Sequence, residues 1–315
     1  MVKILSALLL TFLVATAGIG QVTLNSTNGP YFGSVNDLVQ TGGGKIIAAT
    51  NNSLFSSTDG SSWTRLTLGT SQFFQDLEIH PTSGLIYATA NGVIFTSTDG
   101  TVCTQLSPTG LGVFINRLKI APNGDVWVVA NSNLYRANAA SPTTFNQIYT
   151  FTSQVNDLDF GATNQIFAST FGQGIQRSAD NGVSFSAVSG ISASAVVRSM
   201  TVHAGVFFAL ASDGPYRSTN GTSWVSIKNN ITDVSFSGFI SKNGSGDIFI
   251  FNNDTYKVYS VNAAGSTATS VTWSAAVNYP VNLGANDGLF STATNWLIGF
   301  SEYGVEKTTD AGATW

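Results

Sequence analysis

Residues Ser57-Thr58-Asp59-Gly60-Ser61-Ser62-Trp63 read as a tight turn between two short strands. Leu54 and Phe55 lead in as an apolar strand, and Trp63 opens the next. An Asp side chain can accept hydrogen bonds from the amides of such a bend, and Gly tolerates positive φ. The stretch returns along the chain. Ser97-Thr98-Asp99-Gly100 repeats it with Cys103 in the Trp place. Ser178-Ala179-Asp180-Asn181-Gly182-Val183-Ser184-Phe185 is one residue longer, and Ser218-Thr219-Asn220-Gly221-Thr222-Ser223-Trp224 carries Asn for Asp. Thr308-Thr309-Asp310-Ala311-Gly312-Ala313-Thr314-Trp315 is the last copy.

Asp59, Asp99, Asn138, Asp180, Asn220, Asn262 and Asp310 then mark seven turns, spaced 39 to 48 residues apart. Asn138 and Asn262 are degenerate and are placed by the period alone; Asn262 sits in an enlarged loop that reaches Trp273. Each period holds four pieces. The first is an apolar stretch with a polar start, such as Asp37-Leu38-Val39 or Asp76-Leu77-Glu78-Ile79. The second is a β-branched and aromatic run: residues 45–50, 85–90, 125–130, 165–170, 206–211, 247–251 and 296–300. The third enters the turn and the fourth leaves it. No stretch after residue 20 has a helical period. Four short strands in about 40 residues, repeated round a centre, are the arithmetic of a propeller blade. The chain is predicted to be all-β, a seven-bladed β-propeller of four-stranded antiparallel blades over residues 21–315. The last fourth strand has two candidate sources: Gln21 to Asn25 coming round, or chain beyond Trp315.

Charged residues make up 10% of the 315, against roughly 25% in an average soluble protein. Ser, Thr, Asn and Gly supply the polar surface instead. A net charge of −4 argues against nucleic acid or an anionic membrane as partner. Lys3, the apolar run Ile4 to Val14, and small residues at Ala15, Ala17, Gly18 and Gly20 read as a signal peptide over residues 1–20. The expected location is therefore secreted, periplasmic or cell-surface. No later stretch is apolar enough to span a membrane in the mature chain. Cys103 is the one cysteine, so the fold is expected to rely on its core, with this thiol as packing.

The turns resemble the Asp-box, or BNR, repeat with its pattern Ser-x-Asp-x-Gly-x-x-Trp. Asp180 and Asp310 sit in full-length copies, while Asp59, Asp99 and Asn220 sit in shortened ones. The resemblance covers almost the whole mature chain. Such boxes occur in sialidases, xyloglucan-active glycosidases, sortilin-type receptors and a photosystem II assembly factor. It implies a β-propeller in which Asp59, Asp99, Asp180, Asn220 and Asp310 are structural hairpin residues between third and fourth strands, away from the active face. It does not choose a function.

The face carrying the loops into strand one is the expected functional face. Strand-one starts are read at Asp37, Asp76, Arg117, Asp157, Ser199, Ser237 and Asp287. Once the ring closes, Asp287, Asp37 and Asp76 come from neighbouring blades, and a glycosidase needs two carboxylates at defined separation. These three are the catalytic candidates if the protein is an enzyme; otherwise they orient loops. Tyr31, Phe32, Phe73 and Tyr279, with Arg117 and Asp157, are the binding candidates, and Phe74 and Phe114 join the aromatics near strand-one entries. Packing between blades is the competing role for every aromatic. A sialidase site needs three arginines around a carboxylate; only Arg117 and Arg198 fall near this face, so that activity is not expected. His80 and His203 have no third ligand spaced with them, so no metal and no cofactor are expected. The leading expectation is an exported, non-catalytic propeller that binds an extracellular protein or polysaccharide. The alternative is a glycoside hydrolase using the acidic cluster.

Overall fold

The computed structural model describes residues 33–68, 71–112, 114–161, 165–267, 271–279 and 284–315. The segment 1–20, Tyr31, Phe32 and the candidate closing strand at 21–25 lie outside them. The described residues form seven antiparallel sheets, six with four strands and the last with three, each in simple sequence order. This is a β-propeller. Its inner strands are Val35–Gln40, Asp76–Ile79, Arg117–Ile120, Val155–Phe160, Val197–His203, Gly238–Lys242 and Ala285–Phe290.

The second strand of every blade is buried at every position, from Ile46–Thr50 to Trp296–Phe300. Each is flanked by a strand on both sides and by a blade on both faces, so alternation disappears and the apolar runs become continuous. Aromatic pairs fill the gaps between blades. Phe249 of the sixth stacks on Phe290 of the seventh at 3.9 Å between ring centroids. One helix of five residues, Ala263–Thr267, occupies the enlarged loop that the sequence reading left without helix.

The repeated turn works through two side chains. The Ser57 hydroxyl donates to Asp59 at 3.0 Å and accepts the Gly60 amide at 2.8 Å. Asp59 Oδ1 accepts the amides of Ser61 and Ser62 at 2.7 and 2.8 Å. The longer copy at Asp180 reaches Ser184 instead, at 2.9 Å, and Thr308 replaces Ser in the last. The aromatic that ends each copy is buried at Trp63, Trp224 and Trp273. Burial pushes the Cys103 thiol up to about 11, so it packs here as an unreactive group.

The five turns with glycine at Gly60, Gly100, Gly182, Gly221 and Gly312 are also wedged against the preceding blade. Gly221 has φ +72°, and a Cβ there would lie 2.5 Å from Phe167 Cζ. Gly60 meets Leu297 of the seventh blade in the same way, which fastens last blade to first. Lys307 of the seventh blade donates to the Asp59 carbonyl at 2.7 Å. On the outer rim, Thr67 exchanges backbone bonds with Thr101 and Cys103 of the next blade. Between the fifth and sixth blades the Asn230 side chain makes this exchange, donating to Trp273 O at 2.9 Å and accepting its amide at 3.0 Å.

Gly221→Ala is expected to destabilise the protein by about 1–3 kcal/mol, because the new methyl meets both a strained φ and a packed ring. Gly42→Ala, where nothing lies within 4 Å and φ is ordinary, is expected to be nearly neutral. Denaturant titration of the two variants checks this, and equal effects would refute the wedge. Asp180→Ala is expected to lower Tm while leaving ligand binding unchanged, which parallel melting and binding measurements can check.

Candidate functional site

The seven inner strands run side by side round a central channel of about 470 Å³. An inner strand has a sheet partner on one edge only. Its other edge presents backbone amides to the preceding blade, and buried amides must be satisfied. In five of the seven blades one side chain does this. Asp37 accepts the Leu77 amide, Asp76 the Leu118 amide, and Asp157 the Met200 amide at 3.0 Å. Ser199 accepts the Ile240 amide at 2.7 Å, and Asp287 closes the ring on Leu38 at 2.9 Å. In the sixth blade the position belongs to Phe239, not to Ser237 as the sequence reading had it. Ser237 lies outside the strand and its hydroxyl meets Asp254. Phe239 stacks on Phe251 at 4.4 Å and takes no amide.

Asp37, Asp76 and Asp287 therefore meet in the channel wall. Leu38 N–H is shared at 2.9 Å by Asp37 Oδ1 and Asp287 Oδ2, across the seam between first and seventh blades. Burial first, then the Asp287 and Asp76 charges, hold the Asp37 carboxyl well above the usual range. Asp287 is also raised by burial, but bonds from Asp37, Gly288 and Leu38 pull it back. Both carboxyls are thus raised, Asp37 the more strongly. Asp76 is paired with Arg117 at 3.1 Å. Deeper in the channel, burial lifts Glu78 to about 7 against the pull of Lys119 at 3.3 Å. Burial likewise lifts Asp159 to about 6.

One residue nearer the mouth lies a second tier: Asn36, Gln75, Asn116, Asn156, Arg198, Gly238 and Asn286. In the first, fourth, fifth and seventh blades a β-bulge at this residue turns it out of the ladder. Most of these side chains clamp the next blade while facing the opening. Asn36 donates to Phe74 O at 2.6 Å, Asn156 to Val197 O at 2.7 Å, Asn286 to Val35 O at 2.8 Å, and Arg198 to Phe236 O at 3.2 Å. They line a mouth cleft of about 450 Å³ with Phe73 and Phe171 beside them. The sequence reading missed this tier. Its signal was an Asn or Gln directly before the strand-one residue in five of seven periods.

Of the binding candidates, Phe73 is 37% exposed at the mouth, whereas Tyr279 is 6% exposed. Tyr279 packs against Phe251 and Phe300 and is not part of the rim. Phe74 is likewise core. Arg117 and Asp157 line the channel, and Arg117 also reaches the mouth cleft. Phe171, Val234 and Tyr303 are exposed residues that the sequence did not single out. His80 accepts the amides of Thr82 and Ser83 in its own turn. Among the described residues no group of His, Cys, Asp or Glu is arranged to hold a metal ion, and no helix is long and apolar enough to cross a membrane.

The architecture is that of known propellers. A catalytically inactive virginiamycin B lyase from Staphylococcus aureus, with quinupristin, has a TM-score of 0.72 at 12% identity, covering 88% of this chain and 95% of the lyase. The extracellular domain of a one component system from B. thetaiotaomicron gives 0.69 at 15%, over 90% of this chain and 39% of that one. A GH74 enzyme from Niastella koreensis gives 0.67 at 15%, over 90% and 44%. The chain spans less than half the length of the last two. No protein-family model matches the chain, and no curated protein matches it. At these identities the likeness carries the fold alone.

The carboxyl groups set opposite signs of pH dependence. Asp37, Asp287, Glu78 and Asp159 are raised in the fold, so their contribution is full below the unfolded value near about 4 and is lost as pH rises through the raised values. Asp99, Asp180 and Asp310 are held at about 2 by bonds from Thr101, Ser184 and Thr314, so theirs is full above about 4 and lost as pH falls towards 2. Tm is expected to peak at about pH 4–5 and to decline towards neutrality. Asp37→Asn, which keeps a donor for Asp287, is expected to flatten that decline. A wild-type Tm that climbs steadily from acid to neutral pH would contradict this assignment.

Proposed function

We propose that this chain is an exported, non-catalytic binding propeller that takes an extracellular protein or polysaccharide on its mouth face. The distribution of exposed aromatics carries this reading. Among the described residues the exposed aromatic side chains are Phe73, Phe114, Phe171 and Tyr303. Phe73 and Phe114 precede inner strands, and Phe171 and Tyr303 lie between second and third strands. In an up-and-down blade both kinds of loop fall at one end, so all four rings share the mouth face. Val234, 85% exposed, belongs to the same end. Its neighbour Asp233 is pinned by Asn252, Thr255, Lys257 and Tyr259, so the loop presents Val234 from a fixed base. Clustered exposed apolar groups beside polar ones are the mark of a contact surface. The signal-like segment ahead of residue 21 supports export. The Ser/Thr–Asp–Gly bonding of the turns supports the Asp-box reading and leaves those residues a structural role.

The hydrolase alternative draws on the raised carboxyls of Asp37 and Asp287 on either side of the seam. Against it, Asp37 accepts the amides of both Leu38 and Leu77, which ties each of its oxygens to the wall. The binding reading is tested with the triple variant Phe73→Ser, Phe114→Ser, Phe171→Ser on a polysaccharide and extracellular-protein array. At least a tenfold weaker interaction at unchanged Tm is expected; a ligand held equally by wild type and variant would move the site elsewhere. Release of reducing sugar by wild type, lost in Asp287→Asn with affinity kept, would replace this reading with the hydrolase.

A further inference from the structure

We infer that the mouth cleft recognises an acidic polysaccharide, with a uronate carboxylate on Arg198 and sugar hydroxyls on the amide tier. The inference rests on the binding reading above and names the ligand class of the same face.

The charge of the wall comes first. The cleft is lined by amide side chains, two guanidinium groups and no carboxylate, in a chain with 17 acidic and 13 basic residues. The two arginines differ. Arg117 is taken up by Asp76 and by the Asn156 carbonyl, each at 3.1 Å. Arg198 is tethered through Nε alone, to Phe236 O, and among the described residues it has no carboxylate in ion-pair reach. Its planar fork is thereby oriented in the cleft wall, an arrangement suited to bidentate capture of a carboxylate.

A second observation points to hydroxyl donors. Gln75 Oε1, in the same wall, is buried and has no hydrogen-bond partner among the described residues. An orphaned buried acceptor is costly unless a ligand supplies a donor. Amides donate and accept at once, which matches hydroxyl groups that do the same. Phe73 and Phe171 beside them offer flat apolar faces to a sugar ring.

A bound peptide strand fits less well. Strand addition needs a free sheet edge. Here the open-edge amides of Leu38, Leu77, Leu118, Met200 and Ile240 are already used by the preceding blade. Recognition must come from side chains. The acidic ring below the cleft does not cancel Arg198. Asp76 is paired with Arg117, burial raises the Asp37 and Asp287 carboxyls, and Asp157 accepts two backbone amides.

The test uses the full chain with polygalacturonate, alginate, neutral galactan and poly-glutamate as probes, read by calorimetry at low and high salt. At least one polyuronate is expected to bind, more weakly as salt rises. Arg198→Gln should weaken it at least tenfold and Gln75→Leu several-fold, while Arg198→Lys retains part of the affinity and reports whether the fold is kept. Binding of neither polyuronate overturns the inference, as does binding that Arg198→Gln leaves unchanged. Arg198-dependent binding of poly-glutamate as tight as that of the polyuronates overturns the sugar assignment. Galactan binding that the aromatic triple variant abolishes and Arg198→Gln spares would sink the acidic class while leaving the binding face in place.

Discussion

The structure depends on how the open edge of each inner strand is satisfied. A blade arranged radially has no strand beyond its first, so a row of backbone amides faces the neighbouring blade. Leaving such an amide buried and unpaired costs about 1–3 kcal/mol. A short acceptor side chain at one position per period removes that cost and ties two blades together. Where the residue type changes, the partner atom changes with it. Arg117 is a donor, so it takes the Asn156 carbonyl instead of the Leu158 amide. Phe239 can do neither, and its ring instead lies near Gly288, where a Cβ would approach to 3.4 Å. The wall is held by chemistry that adapts blade by blade, which is why its sequence signal is uneven.

The same constraint explains which parts of the molecule were legible in the sequence. The period, the buried second strands and the Asp turns depend on local chemistry that every copy must satisfy, so they repeat visibly. The strand-one acids repeat less well because a carboxylate, a hydroxyl, a guanidinium or a phenyl ring can each finish the seam. Spacing alone points to Ser237 as the sixth member; the strand that begins at Gly238 puts Phe239 there. Tyr279 was a candidate because it precedes an inner strand. It is core because Phe251, Phe300 and Tyr256 surround it, a packing that only the folded ring assembles. The amide tier went unread because Asn and Gln abound in this chain. Only the bulges distinguish the members at Asn36, Asn156 and Asn286 from loop residues.

The position of the carboxylates bears on what the channel can do. A group that acts as acid or base must release its proton and its hydrogen bonds as the reaction proceeds. Asp37 and Asp287 hold the seam between last and first blades, one of the two joints that the three-stranded sheet makes. Protonation chemistry at that joint would be coupled to the closure of the ring. The amide tier crosses the seams too, but with neutral side chains that carry no titrating proton. Asn36 and Asn286 spend one donor on the next blade and still line the cleft.

Structural and recognition roles are thus separated along a single strand direction. At one end the Asp turns wedge glycines under the preceding blade; in the middle the acceptors close the seams. At the other end the bulge residues are anchored to the next blade and line the mouth cleft. A side chain anchored in this way loses little conformational entropy when it meets a ligand, because its rotamer is already set. Arg198 shows the consequence most plainly. Its Nε bond to Phe236 O fixes the direction of the guanidinium before any anion arrives, so the fork does not have to be ordered by the ligand. A change at Arg198 or Phe171 alters what the mouth meets without touching an amide of the ring. The scaffold therefore leaves the mouth free to vary.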